Sequence, residues 1–414
     1  MHFLLSYFYE MRHQKLRMFL TIMAVAWGMA NVALMLSVGE GLYVIMRRGL
    51  SGMGEGIVVT WTGQSTMTYN GMGPGRPARV TEYDIHAAEN LPLIKNISIE
   101  YNGWSARMKA NGKNTSAGIR AVYPVYGDMR NLQPEKGGRF INPMDEKLKR
   151  RVIFIGNQVR DNIFGENADA VGETIWINDS PFTVIGVMKH KYQTSMYNGS
   201  DARATFVPAS TFRTMFNRQY ANVVIFEPRS RAESEAAQEE FRRFFAGRHG
   251  FHPDDKEVFH YWDTLETMEM QRKIFRGLQT FLGIMGALTL LIAGLGVANI
   301  MYVTVKERTR EIGIKMAVGA HPTLIVAQFL SEAVLTVTIG GVLGVGIALG
   351  LIELFSLVPL PESFVSVTGR PEPVFSGLIA LVCVALLNVI GLWAGLFPAR
   401  KASLVDPVEA LRYE

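Results

Sequence analysis

Hydrophobic and polar positions separate into long blocks along this chain. Four stretches carry no charged residue: 18–39, 277–305, 333–352 and 373–399. Each reaches the roughly 20 residues that a helix needs to cross a bilayer core. Residues 278–305, with Leu282, Leu288, Leu290, Leu291, Ile292, Leu295, Val297 and Ile300, are apolar nearly all round, whereas a soluble helix keeps one polar face. The predicted spans are 18–39, 277–303, 323–352 and 374–397. A cleaved signal peptide would also explain the first stretch, but no small-x-small cleavage pattern follows a short apolar core. Residues 40–275 are rich in charge and turn signals, so one large domain hangs off the first and second spans.

Patterning inside that domain alternates short strands with short helices. Residues 173–188, ETIWINDSPFTVIGVM, place Ile175 and Ile177 between polar neighbours, turn residues at 178–181, and Phe182, Val184 and Val187 on a return run. This predicts a β-hairpin. Strands are expected at 57–62, near Ile97, and at 118–122, 151–156, 204–208 and 223–226. Helices are expected at 83–89, 157–164, from Ser210, and at 233–248, the last carrying Ala236, Ala237, Phe241, Phe244 and Phe245. The alternation implies an α+β domain in two lobes, the first holding 57–62, 83–89, the strand near Ile97 and 118–122. Residues 63–79, with Gly71, Gly73, Pro74, Gly75 and Pro77, read as a mobile loop.

The expected fold is therefore an α-helical membrane protein with four transmembrane helices and a large α+β extracytoplasmic domain inserted between helices one and two. Lys and Arg near span ends set the orientation. Arg12, Lys15 and Arg17 precede span one, Lys306, Arg308, Arg310 and Lys315 follow span two, and Arg400 and Lys401 follow span four. Residues 353–373, between spans three and four, offer Arg370 against Glu353, Glu362 and Glu372. Both termini are expected in the cytoplasm, with 40–275 outside. Arg47, Arg48, Arg272, Lys273 and Arg276 lie on the outer side, facing lipid phosphates or water, but a large domain translocates despite its charge.

Composition changes this picture little. Hydrophobic residues make up 48% of the chain and mean hydropathy is +0.13, high values for a chain with so large a hydrophilic middle. The net charge of +5 calls for no nucleic acid, because basic residues at membrane edges account for much of it and anionic lipid attracts them. The single cysteine, Cys383, falls in span four and excludes an intrachain disulfide. The outer domain must hold itself together by an ordinary core, for which its length suffices.

Candidate chemistry is sparse. His190, Asp201 and His252, with Ser195 and Ser200, are available to a membrane-anchored hydrolase, yet none stands in a G-x-S-x-G or H-E-x-x-H context. The G-x-x-x-x-G-K-[ST] phosphate loop is missing as well. The chain is read as a non-catalytic transmembrane subunit that binds no cofactor itself, so ATP would have to be hydrolysed by another polypeptide.

The cytoplasmic edge offers a docking surface. Residues 304–320, TVKERTREIGIKMAVGA, set Glu307 against Arg310 and Glu311 against Lys315 at helical spacing, with Ile312, Ile314, Met316 and Val318 as apolar contacts. A short helix that binds a protein and a solvated connector at the headgroups both fit these residues. Glu332, an acid near the inner headgroups, suits a structural pairing or an ion-coupling role. Asn31, Asn299 and Asn388 suit helix packing. Gly340 with Gly344, and Gly346 with Gly350, each have the G-x-x-x-G spacing that allows close helix approach, within the chain or between subunits. Residues 1–17, with Leu4, Leu5, Phe8, Met11 and Leu16 beside Glu10, Arg12, Lys15 and Arg17, suit an amphipathic helix on the inner membrane surface.

The motif ERTREIGIKMAVGA, 307–320, and the tail PARKASLVDPVEALR, 398–412, resemble the signatures of the FtsX/MacB-type ABC transporter permeases. EKGGRF at 135–140, RVIFIG at 151–156, IFG at 163–165 and the hairpin at 171–187 resemble their outer domain, so the likeness covers nearly the whole chain. The resemblance implies that 304–321 is a coupling helix seated in a groove of an ATPase subunit, with Glu307, Arg308, Arg310, Glu311, Ile312 and Met316 bearing the contact. It implies a permease dimer, or a pair with a homologous permease, and two ATPase domains that bind ATP and Mg. Motion would pass to the outer domain by mechanotransmission. Seventeen residues precede span one, which suggests a stand-alone permease of the inner membrane with cytoplasmic tail 398–414. The expected function is efflux with a periplasmic membrane fusion adaptor and an outer-membrane channel; signalling to a cell-wall hydrolase and lipoprotein release are the alternatives.

Overall fold

The computed structural model describes residues 15–404, apart from the side chains of residues 104, 105 and 363. Most of the expected amphipathic segment and the last ten residues of the tail lie outside the described residues. Two compact units form: an outer domain of Ile45–Gln271 with Glu362–Gly369, and a helical bundle from the described parts of Met1–Val44, Arg272–Pro361 and Arg370–Glu414.

Helix α1 (Lys15–Ser51) contains the first apolar stretch but continues past it, since charge alone does not end a helix. It stops before Gly52 and Gly54, the latter at φ +107°. In the outer domain follow β1 (Val58–Thr62), α2 (Glu82–Ala88), β2 (Ile94–Ala110), β3 (Lys113–Val122), β4 (Val152–Ile155), α3 (Asn157–Ile163), β5 (Thr174–Ile177), β6 (Ser180–Val187), β7 (Ala204–Pro208), α4 (Ala209–Phe216), β8 (Val223–Pro228), α5 (Ser234–His249) and β9 (Phe259–Asp263). Thr81 starts α2 with a capping box shared with Asp84, and Gly250, at φ +65°, ends α5.

These strands form one sheet with two parts. Strands β9, β1, β8 and the first half of β2 lie side by side, and their chain order with α2 and α5 is a double β-α-β. The second part is a closed cycle of pairings, β2-β3-β7-β4-β6-β5-β2. The 17-residue β2 serves both, pairing with β8 from Ile94 to Glu100 and with β3 from Glu100 to Ala110. The lobe assignment from sequence is thereby corrected: β3 joins the closed part, because its outer edge is taken by β7. The β5–β6 hairpin closes through Asn178 and Asp179, at φ 43° and 64°. Those two residues tolerate left-handed backbone, so the turn is shorter than the four positions predicted, and Ser180 and Pro181 already belong to β6.

Alternation divides the core between the faces of the sheet. Val58, Val224 and Phe226 pack with Ile85, Ala88, Phe241 and Phe245, while Val59, Val223 and Ile225 pack with Tyr126 and Met129. Residues 63–79 are not a loose loop. Ser65 N–H donates to Arg76 O, Asn70 and Gly71 form a tight turn flanked by mutual Tyr69–Met72 hydrogen bonds, and Asp255 accepts from Thr66 and Met67 N–H. Arg76 donates to Gly250 O at 2.5 Å and lies over the Phe251 ring. Glycine and proline here select turns, and distant partners hold them.

The bundle and its extensions comprise α1, α6 (Thr264–Glu307), α7 (Thr309–Ala317), α8 (Pro322–Ser356) and α10 (Gly377–Ser403); α9 (Glu362–Thr368) belongs to the outer domain. Helix α6 has 44 residues, about 66 Å at 1.5 Å per residue, twice the roughly 30 Å of a bilayer core. Its start is set by Asp263, whose carboxylate accepts from Leu265 and Glu266 N–H, not by the beginning of the apolar stretch. Among the described residues, four helices are long and apolar enough to cross a membrane. They pack through Val25, Val297, Phe329, Ala333 and Ala394, and through Met29, Val32, Leu290, Ala348 and Ile390.

Candidate functional site

At one end of the bundle the chain turns from α6 into α7 and then α8. Helix α6 breaks at Arg308, φ −102° and ψ 12°, and α7 begins at Thr309, whose hydroxyl bonds back to Lys306 O. Gly319, at φ +98°, closes α7 with Ala320 N–H donating to Lys315 O. His321 caps α8 and Pro322 occupies its first position. Local chemistry thus makes a nine-residue helix where sequence reading places one longer coupling segment, 304–321.

The six predicted contact residues separate by environment. Glu307 is exposed and its carboxylate receives Arg17 Nη1 at 3.2 Å. Arg308 is half-buried, 3.6 Å from Glu332 and 3.8 Å from Glu311. Arg310 and Glu311 are exposed. Ile312 is 3% exposed and packs inward among Val305, Ile325 and Phe329, with Met316 against the same cluster. The outward apolar side chains are Ile314, 47% exposed, and Val318, 84% exposed.

Glu332 is buried, and Gln328 Nε2 donates to its Oε1 at 3.2 Å. Gln328 Oε1 in turn accepts from Lys315 Nζ at 3.1 Å. The two glycine pairs part company. A Cβ on Gly340 would stand 2.8 Å from Val25 Cβ, and one on Gly344 would press into Ala26 O, whereas nothing lies within 4 Å at Gly346 or Gly350. Only the first pair brings α8 against α1.

A family model described as the MacB-like periplasmic core domain matches residues 18–244, and one described as the FtsX-like permease C-terminal matches 283–407. The chain belongs to the FtsX/MacB-type ABC transporter permease family. The pyoverdine export ATP-binding/permease protein PvdT of Pseudomonas savastanoi pv. phaseolicola is 31% identical over 97% of this chain and 58% of its own length. The macrolide export ATP-binding/permease protein MacB of Shewanella sp. is 31% identical over 98% of this chain and 59% of its own length. The chain thus spans under two thirds of these curated relatives. The crystal structure of the periplasmic region of MacB from Actinobacillus actinomycetemcomitans aligns at a TM-score of 0.43 and 17% identity, over 54% of this chain and 95% of that one.

As an FtsX/MacB-type permease, the protein is a multi-pass inner-membrane component of an ABC system, with its large domain in the periplasm. That domain contains a charge cluster that sequence reading missed. Asp201, fully buried, accepts from Arg120 Nη1, from Arg130 Nη2 at 2.9 and 3.0 Å, and pairs with Lys191 Nζ at 2.8 Å. Burial raises the Asp201 carboxyl, but Arg130, Lys191 and Arg120 outweigh it and hold the group far below the usual carboxylate range. Burial lowers Lys191 to about 8 against the pull of Asp201. Beside them Glu100, also buried, accepts from Tyr126 OH at 2.8 Å and from Tyr197 OH.

Asp201 was visible in the sequence merely as one acid among scattered hydrolase candidates. The structure commits it to ion pairing, while His190 Nε2 contacts Ser366 O and His252 lies 4.0 Å from Asp254. No group of three or more His, Cys, Asp or Glu placed to hold a metal occurs among the described residues. A buried arginine pair has no local sequence signature, so spacing gave no means of finding it.

Proposed function

We propose that this chain is the permease of an ABC export complex, converting ATP-driven motion of an ATPase into periplasmic movement. The observation that carries this is α7: a short helix, anchored inward by Ile312, that with Val318 at its C-terminal cap presents Arg310, Glu311 and Ile314 outward at the cytoplasmic edge. An exposed apolar pair ringed by charges suits a partner's groove. In this reading the exposed Arg310 and Glu311 meet the ATPase directly, Glu307 and Arg308 border the contact, and Ile312 and Met316 support the helix from within. The ATPase binds ATP and Mg; this chain performs no catalysis. The working unit contains two permeases, identical or homologous, and two ATPases in the inner membrane.

Export is favoured because the relatives' names include pyoverdine export and macrolide export. A membrane fusion adaptor and an outer-membrane channel then complete the path. The test is purification of the intact chain in mild detergent from its own cells, with mass spectrometry of partners and an ATPase assay. Ile314→Asp, Val318→Asp and charge reversal at Glu307 or Arg310 should each deplete the ATPase or uncouple its turnover. Unchanged assembly and turnover in all four would overturn the assignment. Recovery of a cell-wall hydrolase instead of an adaptor would replace export by signalling.

A further inference from the structure

The last turns of α6 and the break that follows carry three residues, Tyr302, Glu307 and Arg308, that each reach a different span. Tyr302 OH accepts from Lys401 Nζ of α10 at 2.7 Å, and the ammonium lies 4.4 Å from the ring centroid. Glu307 receives Arg17 of α1 at 3.2 Å on both carboxylate oxygens. Arg308 meets Glu332 of α8 at 3.6 Å. The break between α6 and α7 is therefore stitched to each of the other three spans.

The three stitches differ in solvent exposure, which ranks them. Arg17 and Glu307 side chains are 37% and 44% exposed, and Lys401 is exposed too. Water and salt weaken such contacts, which hold geometry loosely. Arg308 and Glu332 are 18% and 4% exposed. A carboxylate so placed is stable only while its cation stays within reach. A second bridge runs alongside, from Lys315 through Gln328 to the same Glu332 oxygen. Together they span both ends of α7, at residues 308 and 315, and close on one carboxylate of α8.

We propose that Glu332 is a positioning residue that locks α7 to the third span, so that displacement of α7 by the ATPase moves α8 with it. This rests on α7 being the ATPase contact. Without the carboxylate, α7 would still meet its partner through Ile314 and Val318, yet the motion would dissipate at the Arg308 break.

The test compares Glu332→Gln, Glu332→Asp, Arg17→Ala and Lys401→Ala in the full chain, coexpressed with the ATPase and reconstituted in nanodiscs. Two quantities are read: ATPase recovered per permease, and ATP turnover of the recovered complex. Glu332→Gln should recover the ATPase in full but lower turnover at least tenfold, Glu332→Asp should restore most of it, and Arg17→Ala and Lys401→Ala should change it less than twofold. Gln328→Leu, which cuts the Lys315 bridge to the same carboxylate and lies outside the ATPase contact, serves the same comparison if Glu332→Gln does not assemble. Parental turnover in Glu332→Gln overturns the proposal, and so does loss of ATPase binding in step with turnover, which marks a merely structural group. If the unaltered chain recruits no ATPase, the assignment of α7 itself fails, and the proposal fails with it.

Discussion

Replacing Asp201 by asparagine removes the carboxylate that Arg120, Arg130 and Lys191 share. The two guanidinium groups remain charged and are 2% and 1% exposed. Arg130 Nε and Nη1 are buried without a hydrogen-bond partner among the described residues, so Asp201 supplies most of that group's compensation. Breaking a buried pair by deleting one partner costs about 3–5 kcal/mol. A domain is stable by about 5–15 kcal/mol, so this single change takes a large share. Urea titration of the intact chain in detergent measures it, followed by the emission of Trp61 and Trp262, whose rings stack with centroids 6.4 Å apart beside Tyr197. Because the folded carboxyl is held below its ordinary 3.8, its stabilisation is present above that pH and lost as the pH falls below it. The difference between parent and Asp201→Asn should thus be constant from pH 5 to 7 and shrink below about pH 4. A loss under about 1 kcal/mol at neutral pH would refute the assignment of the cluster as a coupled ion network.

The two glycine pairs should respond oppositely. Gly344→Val forces α8 off Ala26 of α1 and should cost about 1–3 kcal/mol, whereas Gly346→Val meets open space; equal thermal stability of the two variants in detergent would count against the packing described. Burial raises the Glu146 carboxyl to about 7, although Ser210 N–H donates to it at 2.8 Å. Its contribution is complete below the ordinary value of 4.5 and lost as the pH rises through about 7, so parent should fall relative to Glu146→Gln by up to about 3 kcal/mol; parallel urea midpoints at pH 5 and 8 would exclude this. Asp255→Ala releases Thr66 and Met67 from bonds of 2.7 to 3.0 Å, and chymotrypsin should then cut after Tyr69 several times faster, with unchanged cleavage refuting the anchor.

The four spans, the strand and helix alternation of the periplasmic domain, its hairpin and a short helix after the second span were legible in the amino-acid sequence. Their signals are local: an unbroken apolar run, a period of two or 3.6, or Asn178 and Asp179 at a turn. A local signal also has local reach, so it could not say that α1 and α6 run on beyond the apolar stretches, where Asp263 and Gly54 mark the limits. Pairings between distant positions were decided by the tertiary structure alone. Asp201 finds Arg120 and Arg130, Asp255 pins residues 66 and 67, β2 closes a cycle with β3 and β5, and Gly340 rather than Gly346 meets α1. The same holds at the cytoplasmic edge, where residue type alone made Glu332 an isolated acid. Folding brings Arg308, Gln328 and, through Gln328, Lys315 to that acid. Desolvation of a charge is tolerated only where the whole fold delivers a partner, and such delivery leaves no periodic trace along the chain.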